Sequence, residues 1–192
     1  MTLLSTPACV IHTPGWMDPI EADDLFATLT TSIPWEQKTI RMYGREVATP
    51  RLTAWFGGAS YSYSGTENAP HAWLPELEAL RARLEIAADA QFNSCLANVY
   101  RCGADSVSWH SDDEPELGAQ PVIASISLGD TRDFRLRDEA SRAVSTVPLG
   151  HGDLLVMRGE SQSHFRHSVP KRAHAGTRIN LTFRYYAAAP RS

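Results

Sequence analysis

At 192 residues, the chain has room for one sizeable hydrophobic core and is short for two. Its 43% hydrophobic and 21% charged residues match an ordinary globular protein, and no apolar run reaches the length that spans a bilayer. The formal net charge of −4 has the wrong sign for a generic nucleic-acid binder.

The N-terminal stretch "MTLLSTPACVIHTPGW" lacks the basic start and apolar block of a signal peptide. Met1 to Thr30 holds four acids and no Lys or Arg, so the remainder balances at 18 basic and 18 acidic residues. "DPIEADDLFATLTTSI" reads as a helix, with Asp18 as N-cap, Pro19 at the first helical position and acids in the first turn. Ile20, Leu25, Leu29 and Ile33 supply its expected apolar face. "IRMYGREV" reads as a hairpin with Tyr43-Gly44 near its tip. In "LPELEALRARLEIAADA", Leu74, Leu77, Leu80, Leu84 and Ala88 recur at spacings of three and four, which predicts a second helix. Trp55 and Phe56 are expected in the core.

From about Asn93 the pattern changes to short β-branched or alternating runs separated by Gly, Pro, Asp and Ser. They are "SCLANVYR", "SVSWH", "PVIASISLG", "RDFRLRD", "AVSTVPLG", "GDLLVMRG", "HFRHSVP" and "TRINLTFRYY". This spacing predicts a mainly β, α+β protein built on two sheets or a barrel, such as a jelly roll. The cysteines, Cys9, Cys95 and Cys102, show no metal-type spacing, which suits buried structural thiols in a reducing cytosol. A cytoplasmic monomer without membrane attachment is the expectation. Arg158 to Ser192 carries seven basic residues and one acid, so this end can meet phosphates or partner buried anions.

"WHSDDEPELG" places His110 and Asp112 two apart. If the strand "SVSWH" continues through Asp112, both side chains share a face. A third ligand from elsewhere would complete a 2-His-1-carboxylate site with open positions, which suits non-haem Fe(II). His164, His167 and His174 are the downstream candidates. In "RINLTFR", Arg178, Asn180, Thr182 and Arg184 alternate with Ile179, Leu181 and Phe183. A polar face of that kind, turned inward, offers two arginine forks to a small dicarboxylate. "ANVYR" adds Asn98 and Tyr100 on one face.

"HSDDE", "RHSVPK", "RINLTFR", "NVYR", "PRLTAWFG" and "YSYSG" together resemble the AlkB-type 2-oxoglutarate/Fe(II) dioxygenases, in the branch that repairs alkylated DNA. The resemblance runs from about Tyr43 to Tyr186. It implies a double-stranded β-helix (jelly roll) core at 93–188, within a single domain of residues 1–192. Residues 1–92 would hold N-terminal helices and nucleotide-recognition hairpins. It implies His110, Asp112 and His167 as iron ligands, the position before "S-V-P" selecting His167. Arg178 would pair with the distal carboxylate of 2-oxoglutarate and Arg184 with its C1 carboxylate, Asn98, Tyr100 and Asn180 completing the pocket. The implied cofactor is Fe(II), with 2-oxoglutarate and O2 as co-substrates.

The implied reaction is oxidative demethylation of 1-methyladenine- or 3-methylcytosine-type bases in DNA. The same chemistry on RNA, or a non-catalytic jelly-roll binding module, are the alternatives. Glu114 would face the polar edge of the damaged base, Asp113 is open, and Glu116 reads as a solvated turn residue. A target base must be flipped or already single-stranded. Tyr61 and Tyr63 would stack on it opposite the His110 ring, and Met42 and Tyr43 would form a hydrophobic finger filling the gap left in a duplex. Arg41, Arg45, Arg132, Arg135, Lys171 and Arg172 are candidate phosphate contacts.

Overall fold

The computed structural model describes residues 2–4, 8–42, 45–58, 61–63, 66–68 and 70–187; of residues 2–4, 8, 40–42, 45, 61–63 and 66–68 it describes the backbone alone. Strands β1 (Thr2–Leu4) and β2 (Ala8–Thr13) precede helix α1 (Pro19–Ser32). Two hairpins, β3 (Thr39–Met42) with β4 (Arg45–Ala48) and β6 (Tyr61–Tyr63) with β7 (Thr66–Asn68), flank strand β5 (Leu52–Gly57), and helix α2 (Pro75–Ala88) follows. The remainder is strand-rich: β8 (Ser94–Tyr100), β9 (Val107–His110), β10 (Ile123–Gly129), β11 (Arg132–Asp138), β12 (Val144–Leu149) and β13 (Asp153–Gly159). A single turn of helix, α3 (Ser161–His164), leads into β14 (Phe165–Val169), and β15 (Arg178–Arg184) closes the series.

A seven-stranded sheet, ordered β1-β2-β13-β10-β15-β8-β5, packs against a four-stranded sheet, β12-β11-β14-β9. This is the predicted jelly roll. Three strands from before residue 93 extend the larger sheet beyond the 93–188 core: β2 pairs with β13, Ile11 opposite Val156, β1 pairs with β2 at the edge, and β5 pairs with β8, Ala54 opposite Ala97. The strand character of "ACVIHT" escaped the sequence reading, since six residues between turn signals carry little periodicity of their own.

Helix α1 starts as expected. The Asp18 carboxylate accepts from the Ile20 N–H at 2.9 Å, a cap worth about 1 kcal/mol. Its apolar face is shifted from the expected one. Ile20 is 74% exposed, whereas Ala22, Leu29 and Ile33 are buried. At 3.6 residues per turn, the five-residue step from Ile20 to Leu25 rotates about 140°, while Ala22 falls almost in line with Leu29. In α2 the expected face holds, with Leu77, Leu80, Leu84 and Ala88 buried. Both helices pack on one side of the larger sheet, against Phe56, Ala97, Ile126, Leu128, Leu181 and Phe183. Each of these but Ala97 contributes roughly 1.5–3 kcal/mol when fully buried. The other side meets the smaller sheet through Val10, Ile123, Leu155 and Met157 against Phe134, Leu136, Val147, Leu149 and Val169.

The alternation in β15 is thereby resolved. Ile179, Leu181 and Phe183 face the helices. Arg178, Asn180, Thr182 and Arg184 enter the space between the sheets, each at most 9% exposed. Register completes this polar floor: Arg178 lies opposite Tyr100 and Asn180 opposite Asn98 on β8, with Ser127 opposite Asn180 and Ser125 opposite Thr182 on β10. Trp55 and Phe56 are buried as predicted. The three thiols diverge: Cys95 is buried, Cys9 half-buried and Cys102 exposed, because Cys102 sits in the loop just after β8 rather than on a packed strand.

Candidate active site

His110 ends β9 and lies opposite His167 of β14, their ring centroids 4.2 Å apart. Asp112 lies beyond the strand, which stops at His110 rather than running through it. The ladder to β14 is irregular here, and the Asp112 N–H turns to the side-chain oxygen of Gln162 at 2.9 Å. The three side chains converge all the same: one ligand atom from each of His110, Asp112 and His167 lies within 4.8 Å of the others. His164, one of the alternatives, is turned away and bonds the Glu160 carbonyl through Nδ1 at 3.0 Å.

Local contacts fix the protonation states that a metal needs. A carbonyl cannot donate, so the His110 Nδ1 to Ser108 carbonyl contact at 2.8 Å makes Nδ1 the protonated nitrogen and leaves Nε2 free to ligate. Burial, reinforced by the His110 ring, lowers the His167 pKa to about 3, so its 4.0 Å approach to Asp112 is made by a neutral imidazole at neutral pH. Burial alone would raise the Asp112 pKa. The Arg184 guanidinium, with His167 and His110, outweighs it and holds the carboxyl at about 2. Arg184 donates to Asp112 Oδ2 from Nη2 at 2.7 Å and from Nε at 3.2 Å.

The triad opens on a narrow cleft whose lining includes Asn98, Tyr100, Arg178, Asn180 and Arg184. Asn180 donates to Ser125 Oγ at 2.6 Å, and Asn98 accepts from Arg51 Nε at 2.8 Å. Arg178 is 1% exposed. Its Nη2 bonds Ser127 Oγ at 2.8 Å, and its guanidinium carbon lies 5.3 Å from the Tyr100 ring centre. Its Nε and Nη1 have no partner among the described residues. A buried guanidinium with two unmatched donors is a docking point for a carboxylate. The donor set therefore fits a divalent iron bound by two imidazoles and a carboxylate, with a dianion beside it.

The structure also sorts the remaining expectations. Glu114 is half-buried, near enough for its charge to act on Arg184 and Tyr186. Glu116 is exposed, as a turn residue should be. Met42 ends β3 opposite Arg45, and Tyr61 and Tyr63 belong to β6; the backbone alone is described for these. Tyr43 lies outside the described residues. Arg132 is not a phosphate contact: it is 1% exposed, with Nη2 donating to the Asp105 and Pro170 carbonyls at 2.8 and 2.7 Å. Its place on the inward parity of β11, beside Phe134 and Leu136, directs it into the core. Arg135, Lys171 and Arg172 are exposed. Sequence reasoning missed Arg51, Ser125, Ser127 and Gln162. The two serines carried a signal, since "IASIS" alternates apolar with hydroxyl residues; Gln162 carried none.

A jelly roll holding two histidines and a carboxylate at the mouth of a cleft with buried arginines defines an iron oxygenase frame. Residues 9–184 match the family model of the 2OG-Fe(II) oxygenase superfamily, and the chain belongs to that superfamily. It is 45% identical over 193 residues to the alpha-ketoglutarate-dependent dioxygenase alkB homolog 3 of Mus musculus, covering 93% of this chain and 66% of the relative. It is 41% identical over 189 residues to the DNA oxidative demethylase ALKBH2 of Arabidopsis thaliana, covering 83% of this chain and 60% of that one. The chain thus spans slightly under two thirds of the length of these relatives. A solved structure of OsALKBH1 shares the fold, with a TM-score of 0.61 at 20% identity over 91% of this chain and 97% of that one.

Proposed function

We propose that this chain oxidatively demethylates N-alkylated nucleobases of the 1-methyladenine and 3-methylcytosine type in DNA, releasing formaldehyde. The observation that carries this reading is the pairing of the buried His110–Asp112–His167 cluster with the unmatched donors of Arg178 in one cleft. Similarity to a protein named as a DNA oxidative demethylase supports the substrate class.

His110, Asp112 and His167 would hold Fe(II). Arg178 would hold the distal carboxylate of 2-oxoglutarate, and Arg184 would serve the carboxylate nearer the metal; Asn98, Tyr100 and Asn180 would complete that pocket. When bound, the iron uses O2 and 2-oxoglutarate to insert one oxygen into the methyl C–H, with succinate and CO2 leaving. The hydroxymethyl group then departs as formaldehyde, its hydroxyl proton is released, and the ring nitrogen keeps the C–N electron pair, which restores the neutral base. The protein's own task is to position the methyl group and exclude water. The sheets do so by enclosing the cluster, with Asp112 and His167 at 5% and 6% exposure. A base with a fixed positive charge is drawn to the Glu114 carboxylate, Tyr61 and Tyr63 stack on it, and Met42 and Tyr43 serve as the finger in a duplex.

The test is formaldehyde release from methylated DNA and RNA oligonucleotides, single- and double-stranded, with His110→Ala as the control. Release from DNA that disappears in the variant supports the proposal. Release from RNA alone moves the substrate to RNA, and no succinate with any oligonucleotide makes the chain a binding module.

A further inference from the structure

We infer that Gln162 is the positioning residue that fixes Asp112 for metal binding; the inference rests on the reading of Asp112 as an iron ligand. Asp112 needs such a device because the β9 ladder ends two residues earlier, at His110. Outside a ladder, a loop ligand keeps one geometry only if its backbone is anchored. Gln162 supplies that anchor from 50 positions along the chain, its Oε1 accepting the Asp112 N–H at 2.9 Å.

The amide is itself held in orientation. Gln162 is 6% exposed, and its Nε2 faces Met157 Sδ and Ser161 Oγ, both at 3.4 Å. The Asp112 N–H can only donate and therefore selects Oε1, which leaves Nε2 to donate to the sulfur and the hydroxyl. The carrier segment matters equally. Gln162 lies in α3 and His167 follows in β14, so one short stretch supplies the histidine ligand and the grip on the carboxylate ligand. Asp112 is thus held at both ends, at its N–H by Gln162 and at its carboxylate by Arg184.

Partners that orient metal ligands typically carry 10- to 100-fold in metal affinity. The test uses the full chain and Mn(II) alone, titrated without 2-oxoglutarate or nucleic acid. Gln162→Met keeps the side-chain length and removes the acceptor; it is expected to weaken Mn(II) binding by about 10- to 100-fold. Gln162→Glu keeps an acceptor oxygen and is expected to restore binding to within a few-fold. A merely structural role predicts no such split, because both variants fill the same space. Wild-type Mn(II) affinity in Gln162→Met overturns the inference. Asp112→Asn separates the premise: if it too binds Mn(II) normally, the ligand assignment itself fails. Amide hydrogen exchange in the unaltered protein provides a check independent of variant folding. The Asp112 N–H is expected to exchange far more slowly than its loop neighbours, and equally rapid exchange rejects the anchor.

Discussion

Replacing Arg178 by methionine separates the protein's stability from its co-substrate affinity. In the ligand-free chain the Arg178 guanidinium is desolvated, which lowers its pKa, and Nε and Nη1 lack partners among the described residues. Each unmatched buried donor costs roughly 1–3 kcal/mol. Arg178→Met removes that cost and gives up the charged Nη2 bond to Ser127, worth about 1.5–3 kcal/mol. Ligand-free stability should therefore stay within about 1 kcal/mol of wild type or rise, unlike an ordinary truncation in a core. Affinity moves the other way. Two charge-assisted hydrogen bonds to a carboxylate are worth roughly 3–6 kcal/mol together, a loss of more than 100-fold in Kd. At a 2-oxoglutarate concentration 100 times the wild-type Kd, the ligand stabilises the wild type by about 2.7 kcal/mol and the variant by less than about 0.4. Urea unfolding with Mn(II), with and without 2-oxoglutarate, measures both quantities. A variant that keeps the ligand-induced gain, or loses more than about 3 kcal/mol without ligand, refutes the assignment of Arg178 as an unfilled carboxylate receptor.

Glu114→Gln should lower kcat/KM for a cationic methylated base by about tenfold, near 1.4 kcal/mol, and leave a neutral N-methylated base nearly unaffected; equal losses on both would remove the charge argument. Gly103→Ala should destabilise the fold by at least about 1–3 kcal/mol in urea unfolding, because a Cβ there would lie 1.9 Å from the Arg172 backbone oxygen. An unchanged midpoint would contradict that packing. Asp105 has its pKa lowered, first by the side-chain hydrogen bonds from Arg101. Its stabilising effect is therefore complete above the ordinary carboxylate value of 3.8 and fades as pH falls through the lower folded value. The stability gap between wild type and Asp105→Asn should be constant near neutrality and shrink in acid; a gap that widens there would reverse the sign of the argument.

The polar floor of the cleft was legible because β-strand parity is rigid. Arg178, Asn180, Thr182 and Arg184 had to share a face, and only the choice between inward and outward was open. Asn98 and Tyr100 followed the same rule on the neighbouring strand. The iron cluster was legible for a different reason. Two-residue spacing made His110 and Asp112 compatible, but the premise of a continuous strand was wrong, and convergence comes from a loop pinned by a distant side chain. Contacts of that type leave no periodic trace, which is why Gln162 went unread. Arg132 shows the converse: arginine's charge suggests a surface contact, but strand parity places it with Phe134 and Leu136 in the interior.

The two buried arginines of β15 divide the electrostatic work. Arg184 meets a permanent internal anion, Asp112, at 2.7 Å, so its desolvation is offset within the protein whether or not ligands are bound. Burial pulls its pKa down, and Asp112 together with Tyr186 and Glu114 raises it above the ordinary value. Arg178 has no comparable anion among the described residues, and burial pushes its pKa down against a partial offset from Tyr100. The pair is alike in sequence and parity but unlike in compensation. Because Arg184 balances the Asp112 charge, the carboxylate is held in the ionised form that a metal would need. The Arg178 charge meets no carboxylate among the described residues and is offset only in part by Tyr100, so under the proposed function it is the place where a dicarboxylate would bind. On the proposed reading, affinity for the co-substrate would be concentrated at its distal end, while Arg184 would tie the near end to the integrity of Asp112.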